Sequence, residues 1–196
     1  MSLLARYTFL ATERPASTTR IAAQLGVKLP TGRTNAKTDE GAEYLDSHLQ
    51  PGTGSTDYML GLSLSHALKR LSFAANLLGT LPGKGEFGDT SHQFGSALNY
   101  DANVKYRVYP GIAAPRAPQF FAVLGVNGEA RGKEKVDGAT EDNSGGNTLY
   151  LAPGIQLTLA PHWVFDLTYQ AAVSHDLRGT QLGETSKTVG GVTYLF

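Results

Sequence analysis

Apolar residues in this chain recur at every second position over segments of about ten residues, and no stripe of helical period 3.6 is sustained anywhere. In TRIAAQLGVKL, Ile21, Ala23, Leu25, Val27 and Leu29 fall on one side of an extended backbone, with Arg20, Ala22, Gln24, Gly26 and Lys28 on the other. DYMLGLSLSHAL sets Tyr58, Leu60, Leu62, Leu64 and Leu68 against Asp57, Met59, Gly61, Ser63 and Ser65. LSFAANLLGTL does the same with Leu71, Phe73, Ala75, Leu77 and Leu81 against Ser72, Ala74, Asn76, Leu78 and Thr80. The longest run, FGSALNYDANVKYRVY, carries Phe94, Leu98, Tyr100, Ala102, Val104, Tyr106 and Val108 on one face and Gly95, Ala97, Asn99, Asp101, Asn103, Lys105 and Arg107 on the other. With LLARYTFLAT before these and QFFAVLGVNGEAR, NTLYLAPGIQLTLA, HWVFDLTYQAAVS and SKTVGGVTYLF after them, the pattern predicts an all-β, antiparallel chain of about nine strands.

The connections alternate in length. Short ones at ERPAST, HALKR, YPGIAAPRAP and LAPHW take turns with longer polar ones at 32–55, 82–92, 132–146 and 176–186. Short turns at one rim and long loops at the other is the pattern of an outer-membrane β-barrel, and strands of about ten residues suit a tilted crossing. Aromatic pairs near strand ends, Tyr106 and Tyr109, Phe120 and Phe121, Trp163 and Phe165, and Tyr194 and Phe196, would form an interfacial girdle. The chain stops on GGVTYLF, where Val192, Tyr194 and Phe196 share one face, an unusual ending unless something holds the last ring. These three residues are expected to anchor the final strand in a membrane.

Composition narrows the function. Lys plus Arg and Asp plus Glu are equal at 17 each, which gives no global charge to attract nucleic acid. Cys is absent, so disulfides, thiolate metal ligation and a cysteine nucleophile are excluded. The opening MSLLARYTFLATERP has no long apolar segment followed by a small-residue cleavage site, so it does not read as a signal peptide.

The charged residues Arg20, Lys28, Asp57, Asp101, Lys105, Arg107, Glu129, Arg131 and Asp166 all fall on the face opposite the apolar stripe, which makes them candidates to line a lumen. Both signs occur, so cross-strand ion pairs and a selective lining are equally compatible with the pattern. GKGEFG at 83–88 matches a dinucleotide-binding spacing, but it runs into another strand and not a helix, and reads as a loop. His48, His66, His92, His162 and His175 show no metal-ligand spacing and read as interfacial or solvated. Asp39, Glu40, Glu43 and Asp46 form an acidic loop cluster that divalent ions could bridge, though solvation is the simpler reading. Ser96 lies close to His92 in sequence, but no acidic partner is placed to complete a catalytic set. No catalytic residue, cofactor or metal site is expected.

Two stretches narrow the class. GVKLPTGRTN, with Lys28, Leu29, Pro30, Thr31 and Gly32, is followed by LQPGTGSTDYMLGLSLS, with Leu49, Gln50, Pro51, Gly52, Gly54, Ser55 and Asp57. With LAPGIQ at 151–156 and the terminal Phe196, they resemble a family of bacterial outer-membrane proteins described as transporters of the meta-pathway of phenol degradation. That resemblance implies a closed transmembrane barrel with a signal peptide and further strands upstream. It also implies a C-terminal signal read by the outer-membrane assembly machinery. Counting back from a last strand that descends to the periplasm puts the start of a nine-stranded chain outside the cell, whereas bacterial barrels have even strand numbers and start in the periplasm. Residues 1–196 are therefore expected to form one domain, the C-terminal part of an outer-membrane barrel of about twelve strands, lacking N-terminal strands and signal peptide. The expected partners are membrane lipid, lipopolysaccharide, the assembly machinery and a small-molecule substrate, without nucleic acid. The expected function is a channel or transporter for small aromatic or hydrophobic molecules. A soluble lipocalin-like binding barrel is the alternative, and an outer-membrane lipid hydrolase a further one.

Overall fold

A computed structural model describes residues 1–38, 43–112, 117–159 and 162–196. The strands β1 (Ser2–Arg14) and β2 (Ser17–Lys28) form a hairpin, as do β3 (Asp57–Leu68) and β4 (Leu71–Pro82). Two short strands, β5 (Gly85–Phe87) and β6 (Thr90–Gln93), precede β7 (Ala97–Tyr109), which pairs with β8 (Gln119–Arg131). Two more, β9 (Lys135–Val136) and β10 (Ala139–Thr140), precede the pair β11 (Gly146–Leu159) and β12 (Trp163–Leu177), and β13 (Ser186–Tyr194) ends the order. The nine long strands make one antiparallel sheet in the order β1-β2-β3-β4-β7-β8-β11-β12-β13. No ladder joins β1 to β13 among the described residues, so the sheet is open at both edges.

Ladder partners share a face of the sheet, so the register carries the alternation read from sequence from strand to strand. Leu25 opposes Leu60, Leu62 opposes Leu77, Phe73 opposes Val104, and Phe165 opposes Val192 on the apolar face. Arg20 opposes Ser65, Asn76 opposes Asp101, and Gln156 opposes Asp166 on the polar one. The polar face is the concave one. Thr18 and Arg20 on β2 line the same cavity, of about 360 Å³, as Lys105, Phe121 and Gln156 on β7, β8 and β11. Four strands separate β2 from β11, a distance of roughly 24 Å in a flat sheet, which only a curled one brings to a single cavity. Small residues on the inside permit the curl: Ala22, Gly61, Ser63, Gly125 and Ala152 are all buried there.

The apolar face is left uncovered. Leu25, Leu60 and Val192 are 63%, 65% and 62% exposed, and the buried hydrophobic residues among those described are only Ala22, Phe87, Tyr150 and Ala152. The accessible surface is 12632 Å², against roughly 9,000 Å² from the scaling for water-soluble monomers of this mass.

Two sequence expectations change. The segment 94–96 is not part of β7, and Phe94 leaves the apolar stripe for the loop layer, although Gly132 N–H still donates to Ser96 O at 2.7 Å just beyond the Ala97–Arg131 pair. There Phe94 packs against His48 and His92 at ring separations of 5.4 and 4.5 Å. The connections 82–92 and 132–146 are also more than polar loops. They form a second sheet in the order β10-β9-β6-β5, with strands too short to show alternation in the sequence.

On the apolar face, Tyr100 of β7 lies across Gly128 of β8, which has no side chain to obstruct it, and its hydroxyl donates to Asn147 Oδ1 of β11 at 3.1 Å. One ring thereby bridges three strands and covers a glycine that would weaken the middle one. Tyr100→Ala is expected to lower the unfolding free energy by about 1 kcal/mol, the scale of one cross-strand aromatic contact. Tyr100→Phe should retain most of it; denaturant midpoints of the three proteins check this.

Candidate functional site

All nine charged residues expected to line a lumen lie on the concave face by register, but they are not equivalent once their partners are known. At the end bearing the long loops, Lys28 Nζ donates to Asp57 Oδ2 at 2.8 Å and to Thr53 Oγ1 at 2.5 Å. Ser55 Oγ donates to Asp57 Oδ1 at 2.6 Å. Asp57 is 4% exposed and Ser55 1%, so this pair is a buried joint and not a free lining charge. Glu129 and Arg131 form an ion pair on β8, and Arg20 pairs with Glu13 at 2.9 Å.

Four of the nine remain without an ion-pair partner among the described residues. Lys105 reaches across β8 to Gln156 Oε1 at 3.3 Å, and Asp101 accepts from Asn76 Nδ2 at 2.9 Å. Asp166 lines a cavity of about 210 Å³ with Lys105, Asn103, Asn127 and Gln156. Arg107 Nε and Asn103 Oδ1 are buried without a hydrogen-bond partner in the protein. Buried polar atoms of this kind ordinarily meet a protein group or water, so these two leave hydrogen-bonding capacity open on the concave face.

The motif stretches meet in space. Gly32 and Gly52 touch through their backbones: a Cβ on Gly52 would fall 2.6 Å from Gly32 Cα, and one on Gly32 the same distance from Gly52 Cα. Gln50 clamps the same loop, its Nε2 donating to Ala36 O at 3.0 Å and Leu45 O at 2.8 Å, while its Oε1 accepts from Ala36 N–H at 2.9 Å. Gly54, at a φ of +60°, turns the chain into β3. The motif residues thus build the passage from loop to sheet that ends in the Lys28–Asp57 pair.

A second arrangement at this end is absent from the sequence reading. Tyr150 donates its hydroxyl to Glu184 Oε2 at 3.0 Å, and Lys187 Nζ stands 4.3 Å from the Tyr150 ring centre and 3.4 Å from Glu184 Oε2. With Glu129, Arg131, Gln170 and Gln181 these residues line a cavity of about 340 Å³. The hydrogen bond from Tyr150, and then the charge of Lys187, hold Glu184 below its ordinary pKa of 4.5. The position of Tyr150 on the polar side of an alternating strand was its one signal in the sequence.

The remaining candidates divide. At the opposite rim Trp163 lies 4.9 Å from Tyr194 and 6.1 Å from Phe165, and Tyr194 lies 6.4 Å from Phe196, an aromatic cluster of the kind read from the sequence. Val192, Tyr194 and Phe196 are all exposed, and β13 ends at Tyr194; Leu195 N–H still donates to His162 O at 2.7 Å. His92, read as solvated, is buried at 6% exposure in the loop layer, its Nε2 at 2.9 Å from Glu134 Oε2. It is so placed because β6 carries it into the second sheet. No hydrogen bond joins it to Ser96 among the described residues. Of the acidic cluster, Asp39 and Glu40 lie outside the described residues, and Asp46 caps the 3-10 turn Ser47–Leu49 by accepting from His48 N–H at 2.9 Å.

The molecule is therefore an antiparallel β protein whose sheet curls around a polar face and turns its apolar face outward. Residues 4–186 match the model of the family described as "Putative MetA-pathway of phenol degradation", and the chain belongs to that family. No curated protein sequence matches it.

Because Glu184 has a depressed folded-state pKa, its contribution to stability is complete above about 4.5 and is lost as pH falls through the folded value. Tyr150→Phe removes the larger cause and is expected to raise the Glu184 pKa toward 4.5, more than Lys187→Ala does. Carboxyl NMR titration of the three proteins measures the difference.

Proposed function

We propose that the chain forms the wall of a bacterial outer-membrane barrel that passes small organic molecules, aromatic ones among them, along its concave polar face. One observation carries this reading: the sheet curls toward its polar side, leaving Leu25, Tyr58, Leu60, Leu62, Leu124 and Val192 facing outward with nothing packed on them. In water such a face is unfavourable by about 25 cal/mol for each Å² left uncovered, whereas hydrocarbon is its natural solvent. No helix of the described residues is long and apolar enough to cross a membrane, so crossing would be by strands. The even division of the connections between a short-turn rim and a loop rim, with aromatic residues clustered at the former, supports the same setting.

A lipocalin-like protein needs the opposite arrangement, apolar face inside and polar face out, and the direction of curl counts against it. A hydrolase would need a nucleophile within reach of His92, whose Nε2 is taken up by Glu134. The family's description places its members with phenol breakdown, which favours an aromatic substrate. In this reading the protein performs no covalent chemistry. It binds substrate weakly at Lys105, Arg107, Asp101 and Asp166, and contacts lipid and lipopolysaccharide outside. Val192, Tyr194 and Phe196 anchor the last strand and present the assembly machinery with its signal.

Leu62→Arg on the outer face should destabilise the protein refolded in lipid vesicles by about 2–4 kcal/mol, the range for a charge near the bilayer midplane. Asn99→Arg, the same charge at an exposed position of the inner face, should cost far less; equal effects at both positions would refute the assignment of faces.

Arg107→Glu reverses a charge on the concave face near the short-turn end of β7 while leaving the ladder intact. In planar bilayers the protein carrying this substitution is expected to shift in ion selectivity toward cations with unchanged heat-modifiable mobility. Unchanged conductance and selectivity would remove Arg107 from the pathway.

A further inference from the structure

Three segments far apart in sequence bring nitrogen and oxygen ligands to one point in the loop layer. His48 comes from the 3-10 turn Ser47–Leu49, His92 from β6, and Glu134 from the residue before β9. Glu134 Oε2 lies 2.9 Å from His92 Nε2 and 3.1 Å from His48 Nε2, and the three ligand atoms all fall within 4.8 Å of one another. We infer that His48, His92 and Glu134 form a binding site for a divalent transition-metal ion of the zinc type, which ties the three long loops together over the end of the concave face.

The chemistry of the donor set supports this ion. Two imidazoles and one carboxylate are a borderline set that suits Zn²⁺ and its first-row neighbours, whereas calcium and magnesium prefer oxygen alone. Ligand atoms at about 2.0–2.1 Å from a tetrahedral zinc stand roughly 3.3 Å from one another, so the Glu–His separations need to open by only a few tenths of an ångström. The chain has no cysteine, so a site of this kind must be built from such groups.

The surroundings hold the ligands in place. Glu134 is fixed through its backbone, its N–H donating to Ser144 Oγ at 2.9 Å and its carbonyl accepting from Glu141 N–H at 2.9 Å. Ser144 Oγ in turn donates to Glu141 O at 2.6 Å. The backbone N–H of His48 donates to Asp46 Oδ1 at 2.9 Å, which fixes the turn that carries this side chain. Phe94 and Phe87 flank His92 at 4.5 and 6.0 Å, an apolar shell that lowers the local dielectric and strengthens metal–ligand attraction. Without an ion, a largely buried carboxylate, with its side chain 10% exposed, has only two imidazoles to neutralise it. The His48 side is open: that side chain is 56% exposed and borders a cavity of about 460 Å³, which leaves room for water as a fourth ligand. This inference does not depend on the membrane setting.

The test uses the full, untagged chain refolded in detergent, stripped with chelator and titrated with ZnCl₂ by calorimetry. One ion per chain is expected to bind with a dissociation constant below about 10 μM, and X-ray absorption should show only nitrogen and oxygen neighbours at about 2.0–2.1 Å. His48→Ala, on the exposed side where folding is least at risk, and Glu134→Gln should each weaken binding by about 10- to 100-fold, the loss typical of a disrupted metal site. His175→Ala, a histidine of β12 outside the cluster, should leave it unchanged. Absence of stoichiometric binding to the wild type, or wild-type affinity in His48→Ala and Glu134→Gln, overturns the proposal.

Discussion

The direction in which the nine-stranded sheet curls governs the rest of this molecule. Had the same strands closed on their apolar side, Leu25, Leu60, Leu62, Leu77 and Val104 would form a core, and the charged residues would face water. They curl the other way, so the hydrophobic effect does not hold the described chain together from within, and only Ala22, Phe87, Tyr150 and Ala152 among the hydrophobic side chains are buried. Cohesion falls instead to the ladders of backbone hydrogen bonds that join each of the nine strands to the next, and to cross-strand contacts such as Tyr100 over Gly128. Several inward positions are small for the same reason. A concave face converges, and Ala22, Gly61, Ser63, Gly125 and Ala152 leave the space that larger side chains would fill.

Convergence also concentrates charge. Groups that would be well separated on a flat sheet share a trough, where the effective dielectric is lower and an unpaired polar atom costs more. Most charges respond by pairing: Lys28 with Asp57, Arg20 with Glu13, Glu129 with Arg131, Glu184 with Lys187. Lys105, Arg107, Asp101 and Asp166 form no ion pairs among the described residues, a local exception that leaves charged groups without opposite partners on the concave face.

The loop end follows a different principle. Its segments are tied to the sheet and to one another through polar joints and close backbone contact: the glycine contact of Gly32 with Gly52, the Gln50 clamp, the Lys28–Asp57–Ser55 network and the second small sheet. Loops held in this way can bring His48, His92 and Glu134 to one point despite the sequence distance between them. A metal ion bound there would lock a cover that is already assembled.

The number of long strands, strand type and the division of residues between two faces were determined by the sequence alone, because a period of two leaves each side chain only one of two directions. The nine charged residues of the polar face, and the short and long connections, could be read in the same way. The motif glycines could be read as turn formers, but not as partners of each other. Which face is inside was decided only in three dimensions, since alternation is symmetric between the two and curvature is a property of the whole sheet. Pairing was also beyond the sequence: Lys28 and Asp57 are 29 residues apart, and nothing local distinguishes a paired lysine from a free one. Phe94 followed the alternating pattern and yet left the strand to pack on His48 and His92, a contact between segments distant in sequence that the stripe could not reveal. His48, His92 and Glu134 had no motif spacing to reveal them. Their meeting depends on three loops packing together, and tertiary contact alone brings such ligands within bonding distance.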